Sequence, residues 1–304
     1  MTRSTNPIRF GLHTRAIPGE MIVHVGQVGE ANGFDFIAFS DQPPGNNIEA
    51  WTAATAVGVQ TQRIQVTHST LNVPWRNPAL LAKMAASLDQ LTQGRVILTL
   101  GAGGMEEQYI SYGSTFGTPS QRITDLGDAI AIIRGLWEGE PFDYQGKRLS
   151  VAGARVLPRP FNERIPIFIG AGKPRNLRQA GAVADGWLKN QGWIDDEARY
   201  ATQIQTLEDS AEAAGRDPRT IHRVLSGYGY IGGEDPATRV PWVHGTPGGL
   251  VGTPDRILDD VDHFLELGVD TFQLAFAPDG IDEQLQRFGE EVIAKLRSPA
   301  TVTP

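Results

Sequence analysis

Short apolar runs alternate with amphipathic helical stretches eight times along this 304-residue chain. The strand-like runs are Ile8–His13, Phe34–Ser40, Ile64–Ser69, Val96–Leu100, Ile165–Ile169, Asp185–Leu188, Ile221–Ile231 and Val269–Phe276. Each is followed by a segment whose apolar residues recur at helical spacing, such as Leu80, Leu81, Met84, Ala85, Leu88 and Leu91. Asn77-Pro78 and Thr253-Pro254 supply helix starts, with a capping side chain and proline at the first position. Eight strand–helix pairs in this length predict an α/β fold, a (β/α)8 TIM barrel. A doubly wound open sheet usually has fewer strands and often carries a G-x-G-x-x-G fingerprint in its first βα turn; Thr14–Gly19 has none.

The rhythm breaks once. After the fourth helix, Phe142–Pro160 holds Gln145-Gly146 and Gly153 with alternating Tyr144, Leu149 and Val151, which predicts a short inserted hairpin. Gly232–Gly252, after the seventh strand, is rich in Gly and Pro and is expected to form a long loop over the active face. No linker divides the chain, so residues 1–304 are read as one domain.

Composition excludes several functions. The formal net charge of −8 argues against a nucleic-acid partner. The absence of cysteine removes disulfides, thiolate catalysis and cysteine-ligated metals. The six histidines show no ligand spacing, so no metal is expected. No G-x-S-x-G marks a hydrolase elbow. Met1–Phe10 has no apolar leader and no run approaches membrane-helix length, so a cytoplasmic protein with no membrane partner is expected.

A barrel builds its site from the residues just after each strand. Those positions are His13, Asp41 and Gln42, His68 and Ser69, Gly101–Gly104, Gly170–Arg175, and Lys189 with Asn190. Gly101-Ala102-Gly103-Gly104 ends a strand with three glycines in four residues, a place where backbone can lie against a ligand. Gly170-Ala171-Gly172-Lys173-Pro174-Arg175-Asn176 runs from strand into helix and can present free N–H groups and two cations to an anion; it can equally be an ordinary βα loop. Asp41 can accept from a heterocycle N–H or cap a turn. His13 and His68 can be proton carriers or hydrogen-bonded structural groups. Trp75, Tyr109, Tyr112, Phe116 and Trp193 lie in or near predicted loops and suit a flat cofactor, or pack on one another.

A family resemblance adds to this reading. Its markers, in order, are Glu30-Ala31-Asn32-Gly33-Phe34-Asp35, Ser40-Asp41, Thr61-Gln62-Arg63-Ile64, Asn77-Pro78-Ala79-Leu80-Leu81-Ala82-Lys83 and Leu88-Asp89-Gln90-Leu91-Thr92-Gln93-Gly94-Arg95. Gly101-Ala102-Gly103, Tyr144-Gln145-Gly146, Pro158-Arg159-Pro160, Ile165-Pro166-Ile167, Ala184-Asp185-Gly186-Trp187 and Val251-Gly252-Thr253-Pro254-Asp255 follow. Over Ile8–Leu296 the chain resembles the bacterial luciferase-like family of flavin and deazaflavin oxidoreductases, its deazaflavin branch above all. The resemblance implies coenzyme F420, with FMN as the alternative, and hydride transfer to or from a small organic substrate. It implies Asp41 near the edge of the ring, and His68-Ser69 at a bulge that often holds a non-prolyl cis peptide. It also implies Gly101, Ala102 and Gly103 against the ring or side chain, Gly170, Ala171, Gly172, Lys173, Pro174 and Arg175 around the phosphate, and a homodimer.

Two other activities fit the same resemblance: an FMN-dependent monooxygenase served by a partner reductase, and a cofactor carrier without catalysis. Sugar-phosphate dehydrogenases of the family carry an Asp-His pair after the second strand and a Glu after the fourth-strand glycines. Asp41-Gln42 and Gly104-Met105 stand there instead. Glucose 6-phosphate is therefore disfavoured as substrate, and the catalytic set is expected among His13, Asp41 and Glu106.

Overall fold

The computed structural model describes residues 2–42, 47–189, 193–233 and 248–298. Eight strands form the barrel: β1 (Arg9–His13), β2 (Phe36–Phe39), β3 (Gln65–His68), β5 (Leu98–Gly101), β8 (Ile167–Ala171), β9 (Gly186–Lys189), β10 (His222–Ile231) and β12 (Thr271–Ala275). All pair in parallel, in the order β3-β2-β1-β12-β10-β9-β8-β5. The ring closes where Val66 of β3 bridges Val96, just ahead of β5, through Val66 N–H to Arg95 C=O (2.9 Å) and Ile97 N–H to Val66 C=O (3.0 Å). The expected barrel and its eight strands are observed.

Period-two alternation sorts each strand. On β1, Phe10 and Leu12 pack outward into the helix-facing core. Its Gly11 makes room for the Phe36 ring, which a Cβ there would meet at 2.2 Å. Inside the barrel, Ile97, Phe168, Leu188 and Val224 form an apolar plug. Beside it, the Thr67 and Thr99 hydroxyls of the adjacent strands β3 and β5 bond each other at 2.7 Å. The surrounding helices are α1 (Ile22–Ala31), α2 (Ala50–Gln60), α3 (Pro78–Leu91), α5 (Pro119–Trp137), α6 (Pro174–Val183), α7 (Glu197–Ala213), α8 (Pro254–Glu266) and α9 (Ile281–Phe288). Asn77 caps α3 as read, its Oδ1 accepting from the Ala79 and Leu80 N–H groups at 2.9 and 3.1 Å. α5 starts four residues before Ile123 because Thr118 caps it and forms a capping box with Gln121 in its first turn.

The inserted hairpin is present as β6 (Phe142–Gln145) paired antiparallel with β7 (Ser150–Ala154). The segment after the seventh barrel strand needs a correction. Gly249–Gly252, expected as loop, is strand β11, parallel to the C-terminal half of β10 from Tyr228 to Ile231. That added edge satisfies backbone groups where β10 outruns its neighbours; residues 234–247 lie outside the described part. A two-residue strand β4 (Leu71–Asn72) and a six-residue helix α4 (Glu106–Ser111) were also not anticipated, being too short to show a period.

Candidate active site

At the C-terminal ends of the barrel strands lies a cavity of about 1670 Å³. Drug-sized ligand pockets run to roughly 300–1,000 Å³, so this one has room for more than a single drug-sized molecule. One wall comes from β3, β5 and β8. The Ser69–Thr70 peptide is cis, one residue beyond the His68-Ser69 position the resemblance pointed to. Thr70 then packs across two glycines: a Cβ on Gly101 would meet its Oγ1 at 2.3 Å, and one on Gly170 its Cγ2 at 2.8 Å. Ser69, Thr70, Gly101, Ala102, Gly103, Gly104 and Gly170 all line the cavity. Gly103 takes φ +81°, which glycine adopts without steric cost, and a Cβ there would meet the Tyr109 hydroxyl at 2.4 Å. The result is a surface of backbone and small side chains.

The opposite wall is bulkier. Trp193 wedges against Gly227 and Gly248, where Cβ atoms would meet its side chain at 2.6 and 2.3 Å, and meets Phe264 edge-on at 4.8 Å. Trp193 lines the cavity as anticipated. The other four aromatics do not line it. Trp75 stacks on Tyr109 at 4.3 Å, and Tyr112 and Phe116 pack on that pair. Burial pushes the Tyr109 phenol up to about 12.

The structure distributes the other expected residues unevenly. His13 faces the cavity, its Nε2 3.0 Å from Ser40 Oγ. Burial, aided by the charge of Arg15, lowers its imidazole to about 4, so it is neutral at neutral pH. Asp41 is 3% exposed, and its carboxylate is consumed by Arg76 in a bidentate pair (2.8 Å for both bonds) and by the Asn72 N–H at 2.8 Å. Gln42 and Asn72, not Asp41, reach the cavity. His68 points away from it, stacked on Trp51 of α2 at 5.1 Å, with no hydrogen-bond partner for either ring nitrogen among the described residues. Desolvation lowers His68 to about 3. Glu106 is exposed on α4, outside the cavity wall.

The glycine–lysine segment is likewise split. Gly170 and Asn176 line the cavity, and Asn176 Oδ1 accepts the Lys173 N–H at 3.0 Å. The Arg175 guanidinium instead bonds Ser120 Oγ (2.5 Å) and Thr124 Oγ1 (2.9 Å) on α5. Ala171 is buried and its carbonyl takes the Trp187 indole N–H at 2.9 Å; Lys173 and Pro174 are exposed, and none of Ala171, Gly172, Lys173, Pro174 or Arg175 is in the cavity wall. The cations that do line it are Arg15, Lys189 and Arg256. Lys189 was legible as a strand-end residue. It is buried, Nζ donates to the Trp193 carbonyl at 2.7 Å, and desolvation lowers its ammonium from the usual range. Arg15 lies in the short turn just past β1, two residues beyond His13, and Arg256 in the first turn of α8; neither was among the strand-end candidates.

The sequence model of the luciferase-like monooxygenase family matches residues 5–240, more than half of the chain. The chain belongs to this family. An F420-dependent hydroxymycolic acid dehydrogenase of Mycobacterium tuberculosis is 30% identical over 81% of this luciferase-like chain and 68% of its own. An F420-dependent glucose-6-phosphate dehydrogenase of Microbacterium testaceum is 28% identical over 96% of this chain and 98% of its own. The coenzyme F420-dependent tetrahydromethanopterin reductase of Methanopyrus kandleri shares the fold, with a TM-score of 0.82 at 21% identity, covering 96% of this chain and all of that one. Against the dehydrogenase pattern, this luciferase-like barrel places Gln42 and Gly104 on the cavity, and a Cβ at Gly104 would have nothing within 4 Å. Open space stands where a carboxylate was in question.

Proposed function

We propose that this protein is an oxidoreductase that transfers hydride between coenzyme F420 and a small organic substrate. The observation that carries this reading is the smooth cavity wall made by Ser69-Thr70, Gly101 and Gly170, where added Cβ atoms would collide with Thr70. Such a wall suits a flat ring, and the cavity has volume for substrate beside it. F420, when bound, supplies a two-electron carrier that gives or takes hydride. The protein then supplies orientation, charge and exclusion of water. Ser69, Thr70 and Ala102 would hold the ring face. Arg15, Lys189 and Arg256 would meet the cofactor's anionic groups on a chain that is acidic overall. Asp41 serves as a positioning residue, tied to Arg76 behind the wall and fixing Asn72, which reaches the cavity.

His13 is the proton carrier in this proposal. Held neutral beside Ser40, it can accept a proton from a substrate hydroxyl as hydride leaves the adjacent carbon. Glu106, exposed and off the cavity, takes no part. Without the His and Glu of the sugar-phosphate pattern, the substrate is proposed to be something other than glucose 6-phosphate. Fluorescence titration tests the cofactor assignment: F420 should bind at micromolar concentration or tighter and FMN poorly. Tight FMN with weak F420, together with oxygen uptake on adding reduced FMN, would replace this reading with the monooxygenase one.

A further inference from the structure

Gln273 of β12 is 2% exposed and lies beneath the cavity floor. Its Nε2 donates to Ser69 Oγ at 2.9 Å and to Ser226 Oγ at 3.1 Å. Ser69 comes from the end of β3 and Ser226 from β10, beside Gln273 in the ladder, so one amide joins groups across the barrel mouth. The two N–H bonds of one amide are thereby committed, one to each serine. Each serine oxygen is an acceptor, so each hydroxyl proton must be donated elsewhere. Among the described residues neither hydroxyl has an acceptor, and both serines line the cavity.

We infer that Ser69 and Ser226 form a pair of hydrogen-bond donors, aimed into the cavity by Gln273, for a ligand edge bearing acceptor oxygens. This rests on the reading of the cavity as a deazaflavin site, and the dione edge of that ring has two such carbonyl oxygens. Ser69 adjoins Thr70 and the glycine wall, which places the donors where the ring is proposed to lie. The two hydroxyls bond the same nitrogen, so they are no more than two hydrogen-bond lengths apart, within reach of one ring edge. Gln273 is then a positioning residue that sets the polarity of both serines without touching the ligand.

The test is equilibrium binding of F420, followed by its fluorescence, with thermal melts as the control for folding. Ser69→Ala and Ser226→Ala should each weaken F420 about 5- to 10-fold, the effect of one hydrogen bond. Gln273→Glu offers acceptors in place of donors, turns both hydroxyl protons inward, and should weaken F420 at least as much as the double serine variant. Gln273→Leu should weaken F420 in the parent and cost nothing further in the Ser69→Ala/Ser226→Ala background, a non-additivity that a purely structural glutamine would not show. F420 affinity within twofold of the parent in both serine variants overturns the inference while the F420 reading stands. Failure of the parent itself to bind F420 overturns both.

Discussion

Gly101→Ala puts a methyl group where Thr70 Oγ1 stands 2.3 Å away and Thr70 Cβ 3.2 Å away. The first distance is far inside contact, and Thr70 cannot simply rotate, because its Cγ2 already fills the place of a Cβ on Gly170 at 2.8 Å. Overpacking of this kind costs about 1–3 kcal/mol, which lowers the melting temperature by about 2–6 °C in a chain of this size. Thr70→Ala removes both Oγ1 and Cγ2 and leaves only the 3.2 Å contact with Cβ. Gly101→Ala combined with Thr70→Ala should therefore recover most of what Gly101→Ala loses. Guanidinium unfolding followed by circular dichroism reads the cycle, with an unchanged m value showing that stability alone moved. F420 titration of the same variants reads the wall: Gly101→Ala displaces Thr70 into the cavity and should also weaken the cofactor. A Gly101→Ala protein as stable as the parent, or single losses that simply add, would refute the account of this wall as glycine-dependent packing around Thr70.

Three further outcomes follow from the structure. Unfolded histidines take a proton near pH 6.5, whereas His13 resists until about 4 and His68 until about 3, so the unfolded state alone gains protons on acidification. Stability is full above pH 6.5 and should fall below it, by up to about 1.4 kcal/mol per pH unit for each histidine, and His68→Phe should remove roughly half of that decline between pH 6 and 4.5 in denaturant titrations. Asp41→Asn breaks the bidentate pair but leaves Arg76 its second carboxylate, Glu49 at 2.9 Å, and should destabilise by about 1–3 kcal/mol in urea unfolding; a loss under about 0.5 kcal/mol would show that the pair is not structural. Arg175→Ala should lower the melting temperature by loosening α6 from α5 and leave F420 affinity within twofold, because its guanidinium is spent on Ser120 and Thr124; a tenfold loss of affinity would restore it to the phosphate site.

The deciding factor in what could be read was range. The barrel was legible because each element is short, buried on a regular period and bounded by local signals: Asn77-Pro78 caps α3 by bonds within four residues. The glycine turn 101–104 was legible as a cavity wall for the same local reason. Asp41, His68 and Arg175 were legible only as strand-end or loop residues. Whether such a side chain faces ligand or neighbour depends on partners 35, 17 and 55 positions away in Arg76, Trp51 and Ser120.

The sequence by itself determined the eight-fold alternation, the inserted hairpin, the family and the face on which the cavity opens. The alternation, the hairpin and the face follow from hydrophobic period and turn chemistry, which act between near neighbours, whereas the family was carried by the order of its short motifs. Only the tertiary structure decided which candidates meet. It turned Asp41 and Arg175 into internal ties, sent His68 behind the wall, joined Ser69 to Ser226 through Gln273, and brought Arg15 and Arg256 to the cavity beside Lys189, which its strand-end position had already marked. Those outcomes depend on barrel closure and strand register, which bring distant residues within bonding distance and leave no periodic trace in the chain.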